Sequence, residues 1–115
     1  MRLPTVLPFV HFRFSDGHTV LCYSKRRIRP ARERMNRIGQ NALVAAILAA
    51  DQDGAAEITI QHDGGGRRDI LRVSDETAGA IWQMVSREMC DDAGRADGAD
   101  QGRDAAVVGK EEGDE

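Results

Sequence analysis

Residues 9–23 read FVHFRFSDGHTVLCY, two alternating runs of apolar and polar residues divided by Asp16-Gly17. Aspartate and glycine both tolerate the positive φ of a type I′ turn, so the pair predicts a two-residue hairpin loop. In that register Phe14 faces Thr19, Phe12 faces Leu21 and Val10 faces Tyr23, and these six residues are expected on the buried side. The other side carries Phe9, His11, Arg13, Val20 and Cys22, a more mixed surface.

The pattern recurs downstream. A second hairpin is expected over about residues 57–73, around Gly64-Gly65-Gly66. An even-length loop pairs Ile58 with Leu71 and Glu57 with Arg72, whereas a shift by one sets Ile58 against Arg72 and wastes the apolar face. The glycine tip lacks the Lys-Ser/Thr of a phosphate-binding loop and joins two strands, so it reads as a flexible joint.

A helix is expected after each hairpin. Ser74 can cap the second, with Asp75 and Glu76 complementing the dipole of its first turn. Ala78, Ile81, Trp82, Val85 and Met89 then form one apolar face, and the helix is expected to stop near Cys90. In the first helix Pro30 suits the opening position, and Ala31, Met35, Ile38, Ala42, Ala45 and Ala49 line one side. Residues 42–50, ALVAAILAA, are apolar all round, which calls for burial on more than one side. Either the helix runs beneath both hairpins or Leu43, Val44, Ile47 and Leu48 meet a second copy in a homodimer. Gly39, with Asn41 as a second cap, offers a break in the helix. The expected fold is a small single α+β domain of ββαββα order.

Its limits follow from charge. Residues 1–90 hold thirteen Lys/Arg against ten Asp/Glu and read as the compact domain; residues 91–115 hold three against nine. With five glycines and only Val107 and Val108 as large apolar residues, 91–115 is expected to be a disordered acidic tail. Cys22 and Cys90 form no CxxC or Cys/His cluster and read as reduced thiols. No apolar stretch nears the roughly 18 residues of a membrane span. Pro4 and Pro8 interrupt the opening run and no small-residue cleavage site follows, so a cytoplasmic protein without membrane contact is expected.

The functional signal lies in residues 25–37. Lys25, Arg26, Arg27, Arg29, Arg32, Arg34 and Arg37 make seven of these thirteen positions basic, opposed by Glu33 alone, in a chain of formal net charge -3. Cations normally suit a helix C-terminus. Here they crowd the start of the first helix, while Asp51 and Asp53 follow its end. Guanidinium forks and helix-start N–H groups together attract phosphate or carboxylate, with Asp63, Asp69 and the tail as competitors within the chain. The expected partner is nucleic acid, contacted through its phosphates, or an acidic protein surface. No aromatic lies within the run, which favours a backbone binder over a base reader. The alternative is a protein–protein interaction module, such as a small inhibitor or adaptor of phage or plasmid type.

Catalytic signals are weak. The expected hairpin register sets His11 opposite Cys22, but two ligands do not make a metal site and no third group orients a thiolate–imidazole couple. Asp75-Glu76 and Asp91-Asp92 read as a helix start and a tail onset rather than an acid/base pair. A non-enzymatic protein without cofactor or metal is expected.

Overall fold

The protein is described by a computed structural model over residues 7–96 and 105–111. Strands β1 (Phe9–Arg13) and β2 (His18–Ser24) form the first hairpin, and β3 (Ala56–Gln61) and β4 (Arg68–Val73) the second. Helix α1 (Arg29–Leu48) follows the first and α2 (Asp75–Ala96) the second. The two hairpins are not separate ribbons: β1 pairs with β3, giving one antiparallel sheet in the order β4-β3-β1-β2.

The second hairpin has the expected register, with Ile58 opposite Leu71 and Glu57 opposite Arg72. A 3₁₀ turn over Asp63–Gly65 makes its tip, and Gly64 supplies the one left-handed residue there, at φ 88°.

The first hairpin is offset by one residue from its expected register. Phe12 lies opposite Val20, Val10 opposite Cys22 and Phe9 opposite Tyr23. The Gly17 N–H donates to the Phe14 carbonyl at 2.9 Å, and the Phe14 N–H donates to the His18 carbonyl at 3.0 Å. The loop is thus Ser15-Asp16-Gly17, a tight turn closed by a single left-handed glycine at φ 95°. Asp16 uses its carboxylate instead, accepting the His18 N–H at 3.0 Å. This offset exchanges the faces of β2. Val20 and Cys22 join Val10 and Phe12 on the core side, while Leu21 and Tyr23 move to the other side. His11 therefore sits opposite Leu21, not Cys22.

Both helices cover the core side. Phe12, Val10, Ile58, Ile60 and Val73 are fully buried there, and Trp82 of α2 meets the Phe12 ring edge-on at 6.0 Å. Burial of Cys22 pushes its thiol up to about 12, because a thiolate would lose its hydration. Helix α1 runs unbroken through Gly39, which lies against Ile60 and Val10; a Cβ there would stand 3.4 Å from the Ile60 side chain, in van der Waals contact. Its buried stripe is Ala31, Met35, Ile38, Gly39, Ala42, Leu43 and Ala46. The apolar stretch is not enclosed on all sides, since Val44, Ile47 and Leu48 are exposed. Helix α2 starts as expected, with the Thr77 N–H donating to Ser74 Oγ at 3.1 Å. Ser15 adds a tie between the first loop and this helix, donating from its N–H to the Asp75 carboxylate at 3.0 Å.

The acidic C-terminal stretch departs from the expected structureless tail. Helix α2 continues past Cys90 to Ala96, and a further strand, β5 (Ala105–Glu111), pairs antiparallel along the outer edge of β2. Composition reflects the tail's inability to form its own core. It takes no account of the row of backbone donors and acceptors that β2 otherwise leaves at the sheet edge. Positions 97–104 and 112–115 of that expected tail lie outside the described residues.

Candidate anion-binding surface

The basic run begins where β2 ends. Buried Ser24 closes the strand and its hydroxyl donates to the Arg26 carbonyl at 3.2 Å, turning the chain away from the sheet. Residues 25–30 are all exposed. Ile28 takes the N-cap position in extended conformation, where its side chain has no polar atom to cap the helix. Pro30 in the first turn pre-sets φ. The opening turn, Arg29-Pro30-Ala31-Arg32, holds no acidic residue, so the positive end of the helix dipole carries no compensating side chain within it.

The seven basic residues divide by environment. Lys25, Arg26, Arg27, Arg29 and Arg37 are exposed, whereas Arg32 and Arg34 are half-buried. Arg29 donates to Glu33 one turn on, Nε to Oε2 at 2.9 Å, across an open surface where the pair contributes little. Arg32 is used structurally, donating to the Arg27 carbonyl at 2.7 Å and lying 3.7 Å from the Asp63 carboxylate. Asp63 also donates its N–H to Asn36 Oδ1 at 3.0 Å, so the start of α1 is latched to the β3–β4 tip. Arg34 lines a shallow recess with Ser24, Ala31, Met35, Ile38 and Met89.

The other acid considered as a competitor is held locally. Asp69 accepts from the buried His62 ring at 2.8 Å and from Arg67 Nε at 3.0 Å. The His62 hydrogen bond, reinforced by the Arg67 charge, holds its carboxyl below the usual carboxylate range. Asp69 is therefore engaged with His62 and Arg67, two residues outside the run.

The same end of the sheet holds one residue that the sequence pattern placed elsewhere. Across the side away from the helices, strand pairing aligns Arg68, Gln61, Phe9 and Tyr23 in one row over β4, β3, β1 and β2. Arg68 donates to Gln61 Oε1 at 2.8 Å, and its guanidinium stands 5.8 Å from the centre of the Phe9 ring. Tyr23 was expected in the core; the one-residue offset of the first hairpin puts it here, two positions before Lys25. Its signal in the sequence was the alternation of β2, which either register satisfies.

The candidate dimer residues also divide. Leu43 belongs to the core, and Val44, Ile47 and Leu48 remain as an exposed apolar strip on the last turns of α1. His11 and Cys22 face opposite sides of the sheet, which removes the pairing expected from the sequence. Among the described residues no three His, Cys, Asp or Glu side chains gather as a metal-holding group. Nor is any helix among them long and apolar enough to cross a membrane. The chain matches no protein-family model, no curated protein and no solved structure.

Proposed function

We propose that this is a small non-enzymatic, cytoplasmic binding protein that contacts an anionic partner, with nucleic-acid phosphates favoured, through residues 25–37. The supporting observation is the exposed arginine-rich start of α1, where Lys25, Arg26 and Arg27 precede and Arg29 opens a helix with no acid in its first turn. Arg37 extends the exposed stripe two turns along the helix. Arg32 positions the helix start rather than reaching for the partner, and Arg34 is half-buried.

Binding of labelled oligonucleotides to the full chain at two salt concentrations tests this. Four phosphate contacts give a slope of log K against log salt of roughly -3 to -4. Replacing Arg26, Arg27 and Arg29 by Ser flattens that slope. Absence of binding at low salt, by single-stranded and duplex nucleic acid alike, refutes the reading.

A second reading rests on a separate observation. Val44, Ile47 and Leu48 form an exposed apolar strip of the sort that meets another protein surface, a second copy included. It makes the chain a protein-binding module, and a Val44→Asp, Ile47→Asp variant that keeps every partner and the same sedimentation mass removes it.

A further inference from the structure

The side of the sheet away from the helices is built in three cross-strand rows. The first is Arg68, Gln61, Phe9 and Tyr23; the second Ile70, Thr59, His11 and Leu21; the third Arg72, Glu57, Arg13 and Thr19. The third row is charged and closed on itself, with Arg13 3.3 Å from Glu57. The first differs in kind. It sets two half-buried aromatic rings on neighbouring strands, with a guanidinium over one of them.

This row lies at the end of the sheet where β2 runs out into Lys25, Arg26 and Arg27, and where β4 begins at Arg68. Positive charge therefore flanks the ring pair from two sides. The nearest acid on β4, Asp69, points to the opposite face of that strand and is satisfied by His62 and Arg67. Aromatic faces ringed by arginine and lysine suit a ligand that combines flat rings with an anionic backbone. Neighbouring strands are about 4.8 Å apart, a spacing that two successive bases reach once they are unstacked from each other. A duplex keeps its bases stacked inside and cannot offer them to this row.

We infer that single-stranded nucleic acid binds this end of the open sheet face, with two bases stacked on Phe9 and Tyr23 and the adjoining phosphates held by Lys25, Arg26 and Arg27. This rests on the anionic-partner reading and narrows it from a phosphate backbone to an unpaired strand. Arg68 acts as a positioning residue, fixing the Phe9 ring through its contact with Gln61 and the ring face.

The test is fluorescence anisotropy of the full chain with a 15-nucleotide oligothymidylate, a mixed-sequence RNA of the same length and a duplex control. The single strands bind more tightly than the duplex. Phe9→Leu and Tyr23→Leu keep apolar bulk on the sheet and each weaken single-strand binding about fivefold or more. Tyr23→Phe retains the wild-type affinity, and duplex binding changes less than about twofold in every case. Unaltered single-strand affinity in a folded Phe9→Leu, Tyr23→Leu double variant overturns the inference, as does equal affinity for duplex. Should that variant fail to fold, the wild-type Tyr23 ring resonances decide: they move upfield on adding oligothymidylate, and unmoved signals with binding intact overturn the stacking. Loss of binding on replacing Arg26 and Arg27 by Ser, with the leucine variants unaffected, removes the stacking and spares the anionic reading. No binding of any oligonucleotide removes both.

Discussion

Alternate residues of the same four strands serve two different surfaces. On the core side Val10, Phe12, Val20, Cys22, Ile58, Ile60 and Val73 are buried under the helices, and their alternation is almost purely apolar. On the open side Phe9, His11, Leu21, Tyr23 and Thr59 are half-buried, while Arg13, Arg68, Ile70 and Arg72 are exposed. Each strand thus commits one parity to the core, and of the twelve residues in the three open-side rows Gln61 and Thr19 alone are buried. An aromatic residue on this sheet takes its meaning from parity rather than identity: Phe12 and Phe9 differ by three positions in sequence and by everything in environment.

The sharpest test of that contrast substitutes one aromatic on each side. Phe12→Ala removes a fully buried ring that packs against Trp82 and costs about 3–5 kcal/mol in urea unfolding. Tyr23→Leu, on the open side, costs under about 1 kcal/mol, and comparable losses would erase the distinction. Next in size is Gly54→Ala at the margin of the core. A Cβ there would stand 2.2 Å from the Val73 carbonyl oxygen, a backbone atom that cannot swing away. The expected cost is about 1–3 kcal/mol, and an unchanged thermal midpoint would mean that the 51–54 loop moves freely. Ser74→Ala follows at about 1 kcal/mol, since it strips the cap from α2 without touching either sheet surface. It should leave oligonucleotide binding as it is.

The smallest effect at neutral pH belongs to Cys22. Its thiol is raised by burial from 9.0 to about 12, so the folded state resists ionisation that the unfolded chain undergoes near 9. The associated stability is complete below pH 9 and declines as pH rises from 9 towards 12. Urea midpoints for wild type and Cys22→Ala, followed from about pH 8 to 11, should fall less steeply in the variant. In the same samples at about pH 8 a thiol reagent should modify exposed Cys90 and spare Cys22 until the protein unfolds.

How far the sequence alone reaches is clearest in the two hairpins. The second was legible to the residue, because only one register puts Ile58 against Leu71 and keeps Arg72 out of the apolar face. The first was legible as a hairpin but not in its register. Phe9, Leu21 and Tyr23 make the open side nearly as apolar as the core side, so the hydrophobic pattern that normally fixes register could not discriminate. The choice fell to the turn, where Asp16-Gly17 resembles a two-residue loop, while the chain uses three residues and one positive φ. The candidate site shared that fate. Its charges were visible as a run, but the neighbourhood of Tyr23 and Phe9 is made by cross-strand pairing, and the latching of Arg32 to Asp63 joins elements far apart in the chain. Local spacing carries neither.

The seam between β1 and β3 has a kinetic consequence. Arg13 pairs with Glu57 and Phe9 with Gln61, separations of 44 and 52 residues, whereas each hairpin closes over a short loop. Both hairpins and α1 can form from local contacts, but the sheet has no central strand until that long closure is made. The rate of folding should therefore follow how well α1 holds its two ends in place. Changes at Gly39, where the helix lies against Val10 on one side of the seam and Ile60 on the other, should slow refolding more than they speed unfolding.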